Sequence, residues 1–533
     1  MTQQDRYDVA IVGYGPVGAT AANLLGLRGL RVLVLERDAD IYSRARAVST
    51  DEQVVRIWQQ VGLAERLKQD MLAEKPIDFV DDKGESFLSF TPRPRGSGHP
   101  PQLFIHQPAL EQVLRDGVAR FPDVDVRLGH ECLRIWQQDD HVELTGLASG
   151  DDRVQRFTAS YVIAADGASS PIRSQLGVGF SGRTYEDRWV VIDTQVVQEW
   201  PTHDRLRFHC DPARPSVDCP TPLGHHRWEF PVLPGEDEAV LTSDRGVWQL
   251  LNEQGITEQQ VTVLRAVVYS HHVRFAAKWR VGRVFLTGDA AHVMPPWIGQ
   301  GMAAGVRDVS NLSWKLAAVV RGQLPESLLD SYARERQPHV RAVTAKSVLF
   351  GRVITERRPL VVAARDPLFR AAMHAPYVGA YVREARWFPD PYYADGFLSA
   401  PPAARAGLPA PLAAAFRKAR SAVGHLLPQP YVLAADGERV LLDETLDGWA
   451  VLQVWPDPST AAWSDRGVPV LDLLPRGSAP RGGAIVDVDG TLTAWLRGRS
   501  AHAVAVRPDQ VVYAAATATT PLAPPPVAVP AGS

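Results

Sequence analysis

Hydrophobic and polar positions change their spacing several times along this chain, and each change marks an element. Tyr7 to Val12 is a short apolar run rich in β-branched residues, the pattern of a strand covered on both faces in a parallel sheet. A glycine turn, an apolar helical stretch and a second strand, Arg31 to Leu35, follow with almost nothing left over. An arginine-rich loop then leads to a helix starting near Asp51. PRPRGSGHPP, from Pro92 to Pro101, has no periodicity and reads as a loop, whereas HQPALEQVLRDGVARF has apolar residues at helical spacing. Short strands fill Val124 to Ile163, and the last delivers Asp166 and Gly167 to a turn before a helix beginning near Ser169 or Ser170.

From about Phe180 to Phe275 the pattern alternates, as in RWVVIDTQVV, RLRFHC and HRWEFPVL, with little helix signal. RVFLTGDAAH then restores an apolar strand, followed by the turn VMPPWIGQG and a long helical run, and helical patterns continue to about Phe388. The division expected is a discontinuous α/β nucleotide domain (1–180 and 276–390) with a β-rich insertion (181–275). A Pro/Ala-rich linker (391–429), a small domain of short strands (430–515) and a disordered tail (516–533) complete it.

The chemistry concentrates at turns. Gly13, Gly15 and Gly18 stand where the first strand becomes a helix: the first permits the tight turn, the second lets a pyrophosphate approach the backbone, and the third lets helix and strand pack closely. Pro16 suits the first helical turn, and the free N–H groups there form an anion site. Glu36, roughly 20 residues on, is placed to accept hydrogen bonds from a ribose 2′-OH and to disfavour a 2′-phosphate, so FAD or NAD is expected rather than NADP. Spacing alone does not single out this turn. Gly177, Gly179 and Gly182 repeat it, but no helix pattern follows them, and that segment reads as a loop. Arg44 and Arg46 are either solvated charges or, lying just past the dinucleotide unit, cofactor contacts, with Arg46 the better placed. Asp289 ends a strand where it can bond a polyol hydroxyl. The loop Pro295-Pro296 and Gly299 to Gly301 sets backbone N–H groups and a helix N-terminus beside it.

Composition narrows the rest. At 533 residues the chain exceeds one core, and its net charge of −3 gives no footprint for nucleic acid. Its 3 cysteines, Cys132, Cys210 and Cys219, form no C-x-x-C or metal cluster and read as small buried residues in a reduced compartment. No apolar run approaches the roughly 18 residues of a membrane span, and the polar start leaves no room for a signal peptide, so a cytoplasmic protein without a membrane partner is expected.

GYGPVG with Glu36, then DGASSPIR, then GDAAHVMPPWIGQGMAAGVRDVSNLSWKL fall in an order that resembles the class A flavoprotein monooxygenases. CDPARP, HRWEFPVLPGE and VYSHHVRFAAKW are similar to the 3-(3-hydroxyphenyl)propionate hydroxylases of that class, and the terminal region resembles the thioredoxin-like module of phenol hydroxylases. The resemblance implies a Rossmann-like FAD-binding domain of the para-hydroxybenzoate hydroxylase type, an inserted β-rich substrate domain and a terminal module serving structure or homodimerisation. It implies FAD held by Gly13, Gly15, Pro16, Gly18, Glu36 and Arg37, with Arg46 and Gln107 at its phosphate and ribityl region and Asp289 on the ribityl chain. Asp166 and Gly167 belong to a motif serving FAD and reduced nicotinamide, while Pro296, Gly299, Gln300, Gly301 and Met302 line the isoalloxazine. Where relatives have Asn after Gly-Met this chain has Ala303, which puts the loop packing in question.

The reaction so implied takes NADH or NADPH as a transient donor and O2 as co-substrate, and hydroxylates a phenolic aromatic acid through a flavin C4a-hydroperoxide. Two alternatives share the FAD motifs: a hydroxylase or epoxidase of an aromatic polyketide, and a flavin-binding protein without oxygenase activity. The group that activates the phenol is not identified by the sequence; His209, His225, His226, Tyr185 and Arg188 are the candidates from the β-rich region.

Overall fold

The computed structural model describes residues 6–42, 46–150, 153–383, 386–389, 391–399 and 418–526, with the backbone alone at 184–187. Arg44 lies outside the described residues. Strand β1 (Tyr7–Val12) is flanked in parallel by β2 (Val32–Leu35) on one side and by strand Val154–Ala164 on the other. Val124–Arg127 and Val284–Leu286 extend this parallel sheet at its two ends. Val9, Ala10 and Ile11 are wholly buried because helix α1 (Pro16–Leu27) covers the sheet, and α1 packs against helix Gly301–Val320. Burying about 25 cal/mol per Å² of apolar surface makes this core the main support of the fold.

The second layer is an eight-stranded sheet, and here non-local pairing corrects the expected boundaries. It is built from the long antiparallel pair Phe180–Val196 and Val261–Ala276 with His225–Pro231, Ser216–Thr221 and Leu206–His209. It also takes in Ile77–Val80, paired in parallel with Leu206–His209, then Ser86–Phe90, and at its far edge His292–Val293. The β-rich layer is therefore not confined to 181–275. Nor is that stretch free of helix. Asp244–Glu253 is capped by Ser243, and its Val247, Leu250 and Leu251 pack under the sheet; the capping serine and this i, i+3, i+4 set were a helix signal outweighed by the neighbouring alternation.

Residues 431–517 carry a seven-stranded mixed sheet. Its surroundings correct two further expectations. The segment expected to be a linker is tied down where it is described: Tyr393 N donates to Gly424 O at 2.8 Å, and Ala422, Val423 and Leu427 are buried. The expected disordered tail is ordered through its described part. Thr517 ends a strand, Leu522 is buried, and Trp463 Nε1 donates to Ala523 O at 2.9 Å, because an apolar residue every few positions in this Pro-rich stretch has a groove to fill. Residues 527–533 of that tail, and 400–417 of the linker, lie outside the described residues. Among the described residues no helix is long and apolar enough to cross a membrane.

Candidate functional site

The glycine turn after β1 has a distinct geometry at each glycine. Gly13 has φ +98°, and a Cβ there would collide with Ala165 O of the neighbouring strand's end. A Cβ on Gly18 would collide with Gly13 O, so helix and turn are in direct backbone contact. Gly15 differs: nothing lies within 4 Å of where its Cβ would stand. With Pro16 in its first turn and no side-chain cap, α1 presents its first N–H groups to that open side. Glu36 closes the unit, accepting from Tyr14 N at 2.6 Å and Asp38 N at 3.0 Å.

The second half of the site comes from the chain after Val284–Leu286. Asp289 sits in a one-turn helix, Gly288–Ala290; burial pushes its carboxyl up, while His292 and Arg46 pull the other way. A second single turn, Pro296–Ile298, ends at Gly299 with φ +63°, where a Cβ would strike Ser49 Oγ. Helix Gly301–Val320 starts there, again without a side-chain cap. Its start is fixed by Asp51, which also caps helix α2 (Glu52–Gln60) through Gln53 N and Val54 N. Gln300 Nε2 and Arg307 Nη2 donate to Asp51 Oδ2 at 3.0 and 2.5 Å, and Arg307 Nη1 donates to Gln300 Oε1 at 3.1 Å. Burial alone would raise Asp51, but the Arg307 guanidinium holds its carboxyl below the usual range. Ala303 is fully buried in the main core, so the loop packs without the asparagine that the resemblance led one to expect.

Both halves open into one cavity of about 840 Å³. Gly15, Pro16, Arg46, Gln107, Gly167, Asp289, Pro296, Gly299, Gln300, Gly301 and Met302 all line it. Gln107 Oε1 accepts from Arg46 N and Ala47 N, each at 2.9 Å, and so shapes the loop that carries Arg46. Five expected contacts are not among the residues that line the cavity: Gly13, Gly18 and Glu36, which build the turn itself, and Asp166 and Arg37. Asp166 Oδ2 accepts from Ile172 N at 3.1 Å, at the start of helix Pro171–Gln175, and it is the flanking Ala165 and Gly167 that face the cavity. Arg37 is 69% exposed, 3.9 Å from Asp38. At Gly177 to Gly182 the chain enters strand Phe180–Val196, not a helix, as the lack of helical spacing implied.

Beyond the loop Pro296–Met302 the cavity continues as an apolar chamber. Its walls include Ile77, Phe208, Val217 and Cys219 of the second sheet, together with Trp297, Phe350 and Trp387. His425, Trp495 and Arg499 of the terminal region also line the cavity. Of the five candidates for phenol activation, the four whose side chains are described are not among its lining residues. His209 and His226 bond Asp218 at 2.6 and 3.0 Å, on residues whose alternation sends them to the sheet face away from the cavity. His225 stacks on His106 at 4.8 Å, Arg188 pairs with Glu238 at the surface, and the side chain of Tyr185 lies outside the described residues. The carboxylate that the second sheet turns into the chamber, among the described residues, is Glu229, which sequence reasoning missed. The signal was present in HRWEFP: Trp228 and Phe230 are buried in a core on one face, so Glu229 must point from the other.

His271, also on that sheet, lies between Trp189 and Trp297 with ring centroids 5.8 and 5.5 Å away. Burial, helped by His272, holds it down to about 4. The unfolded chain takes up this proton near pH 6.5 and the folded protein does not, so stability falls as pH drops from that value towards 4. His271→Phe should remove about 2 kcal/mol of the stability difference between pH 7 and pH 5, read from urea unfolding at both values. An unchanged difference would show that His271 titrates normally in the fold.

The donor set can be tested against a flavin dinucleotide. Two helix N-termini without side-chain caps, three glycines with open Cβ space (Gly15, Gly167 and Gly301) and a raised carboxyl at Asp289 share one cavity. Backbone N–H groups suit the pyrophosphate, the carboxyl suits a polyol, and the open glycines leave room for close approach, so these residues fit FAD.

Comparison with known proteins agrees. The FAD binding domain family matches residues 6–347, and the HcaD C-terminal domain family matches residues 424–523. The 3-(3-hydroxy-phenyl)propionate/3-hydroxycinnamic acid hydroxylase of Burkholderia cenocepacia (strain HI2424) is 35% identical over 530 residues, covering 96% of this chain and 94% of its own. The protein of that name from Comamonas testosteroni is 33% identical over 561 residues, covering 96% and 95%. In fold, the chain is similar to the flavin-dependent monooxygenase PieE, solved in complex with FAD and substrate. The TM-score is 0.78 at 23% identity, with 96% of each chain covered.

Proposed function

The chain belongs to the family of FAD-dependent aromatic hydroxylases, and from that premise we propose that it hydroxylates a phenol carrying a short acidic side chain, of the 3-hydroxyphenylpropionate type. The observation that carries this reading is the single cavity in which two uncapped helix N-termini and Asp289 meet an apolar chamber. FAD, when bound, supplies the chemistry that amino acids lack: it accepts a hydride from NADH or NADPH and passes electrons to dioxygen. The protein's own residues bind, orient and enclose. Gly13, Gly15 and Gly18 seat the pyrophosphate at the start of α1, Glu36 takes the ribose hydroxyls, and Asp289 holds the ribityl chain. The N–H groups of Gly301 and Met302, with the positive end of their helix, would favour negative charge on a flavin held there. Phe208, Val217, Trp297, Phe350 and Trp387 would keep water out of the substrate end.

We read residues 431–517 as a thioredoxin-like module. Its mixed sheet supports this, and since the chain has no cysteine after Cys219 the module serves packing rather than disulfide exchange. The same inertness holds for Cys132 and Cys210, whose thiols burial pushes up to about 12.

The test is substrate-stimulated NADH and NADPH oxidation across phenylpropanoids, simple phenols and polycyclic polyketides, with products identified by mass. A gain of one oxygen on 3-(3-hydroxyphenyl)propionate supports the proposal, while a gain confined to polycyclic compounds transfers the enzyme to the polyketide reading. Oxidation that no aromatic accelerates would leave a flavin-binding protein only. Asp289→Ala is expected to be purified largely colourless, with flavin content below a tenth of wild type by absorbance; full retention would remove Asp289 from the site.

A further inference from the structure

Glu229 stands out in the chamber because its one described ionic partner is distant. It lies mid-strand in His225–Pro231, paired with Val191 on one side and Val217 on the other. Its side chain is 15% exposed, and that exposure is to the cavity it lines. No described residue donates a hydrogen bond to its carboxylate. The nearest cation, Arg227, is 3.9 Å away and is already engaged by Asp193, with Nε to Oδ1 at 2.6 Å and Nη2 to Oδ2 at 3.2 Å. Arg265 completes that cluster at 2.5 Å from Asp193. A carboxylate left without a donor in an apolar wall costs about 1–3 kcal/mol or more. A position that carries such a cost is accounted for when a ligand supplies the donor.

The register says which part of a ligand this is. Trp189, Val191 and Asp193 share the sheet face that looks into the nucleotide layer, and Trp189 lies 5.0 Å edge-on from Trp297 in the loop Pro296–Met302. Glu229, opposite Val191, is one two-residue step, about 7 Å, along the strands from that contact. It therefore faces the end of the chamber next to the loop, where a carboxylate would repel an acidic tail and attract a hydroxyl.

We propose that Glu229 accepts the hydrogen bond of the substrate's phenolic hydroxyl and takes its proton as the ring is attacked. The proposal rests on the phenol reading above. The phenol O–H bond breaks and a carboxyl O–H bond forms at Glu229. One negative charge moves from the carboxylate to the phenolate, whose electron pair enriches the ring carbons ortho and para to it. The groups facing Glu229 are Arg227 on its own strand, and Asp193 and the thiol of Cys219 on the strands beside it. Burial, with Asp193, pushes its carboxyl up against the pull of Arg227.

The test uses the FAD-loaded enzyme. Oxidised enzyme is titrated with 3-(3-hydroxyphenyl)propionate and with 3-phenylpropionate, which lacks only the hydroxyl. Wild type should prefer the phenol by roughly 10-fold or more, the scale of a hydrogen bond to a charged acceptor. Glu229→Met should bring that ratio to about 1 with affinity for 3-phenylpropionate unchanged. Glu229→Gln, which keeps an acceptor but cannot take a proton, should retain part of the preference, lose roughly 100-fold in hydroxylation and lose the acid limb of its pH profile. A ratio unaltered in Glu229→Met, or wild-type hydroxylation and pH profile in Glu229→Gln, overturns the proposal. Should Glu229→Met not fold, Glu229→Gln decides alone. If another phenol is the substrate and phenylpropanoids are not, the acidic-tail reading fails, and Glu229 is judged by the same comparison on that phenol and its deoxy analogue.

Discussion

Asp308→Ala should lose about 3–5 kcal/mol of stability and most of its flavin, although Asp308 is not among the residues that line the cavity. Asp308 is fully buried on helix Gly301–Val320. Its Oδ2 accepts from Gly288 N at 3.1 Å and from His292 Nε2 at 2.6 Å, and its Oδ1 accepts from Arg336 Nε at 2.8 Å. Removing the carboxylate leaves the Arg336 guanidinium buried beside His339 without its counter-ion, and an uncompensated buried charge is among the few mechanisms that cost this much. It also frees the Gly288 N–H that orients the turn carrying Asp289. Flavin stabilises whatever it binds, so the comparison belongs to apoprotein unfolded in urea, with flavin affinity measured separately. Wild-type stability in apo Asp308→Ala would show that Arg336 finds another partner. Normal stability with weak flavin binding would confine Asp308 to placing the turn.

Arg507→Met should cost a similar 3–5 kcal/mol, and by a different route. Arg507 lies just past strand Ala501–Val506 and reaches into the helical layer, where Nη1 and Nη2 donate to the two oxygens of Glu335 at 2.8 and 2.9 Å. Glu335 also receives Lys315 Nζ at 2.7 Å, Asn311 Nδ2 at 2.6 Å and Phe397 N at 2.8 Å. Burial works against ionising Glu335, but Arg507 and Lys315 together hold its carboxyl well below the usual range. The stability it contributes is present above the pH where a free carboxylate ionises, and is lost as pH falls through the depressed value. Arg507→Met removes two of the five donors and both charge-assisted bonds to Asp509. Amide exchange should then rise together in helix Ser331–Ile354 and in strand Ala501–Val506. Faster exchange in the strand alone would show that the terminal module is held elsewhere, for example by Arg56, whose Nε and Nη2 donate to Asp443 at 2.6 Å.

The nucleotide half of the site was legible because its determinants are local. Gly13, Gly15, Gly18, Pro16 and Glu36 fall within one strand–turn–helix–strand unit, where spacing along the chain is spacing in space. The loop Pro296 to Met302 was legible for the same reason, a turn between a strand and a long helix. The substrate half was not. Strand Ile77–Val80 joins the second sheet beside Leu206–His209 with each residue paired to one 129 positions away, and no periodicity announces such a partner. The histidines were misleading for a related cause. Asp218 collects His209 and His226 on the far face of the sheet, and which face is which depends on where the nucleotide layer sits.

By itself, then, the order of residues determined the class of cofactor, the turn that grips it and the alternation of each strand, since these depend on neighbours within a few positions. Only the tertiary structure decided which strand faces meet the cavity, that the terminal module closes against it through Trp495 and Arg499, and that Glu229 stands in its wall with no hydrogen-bond donor among the described residues. Those outcomes depend on pairing between segments hundreds of residues apart, and burial and charge compensation are properties of that pairing.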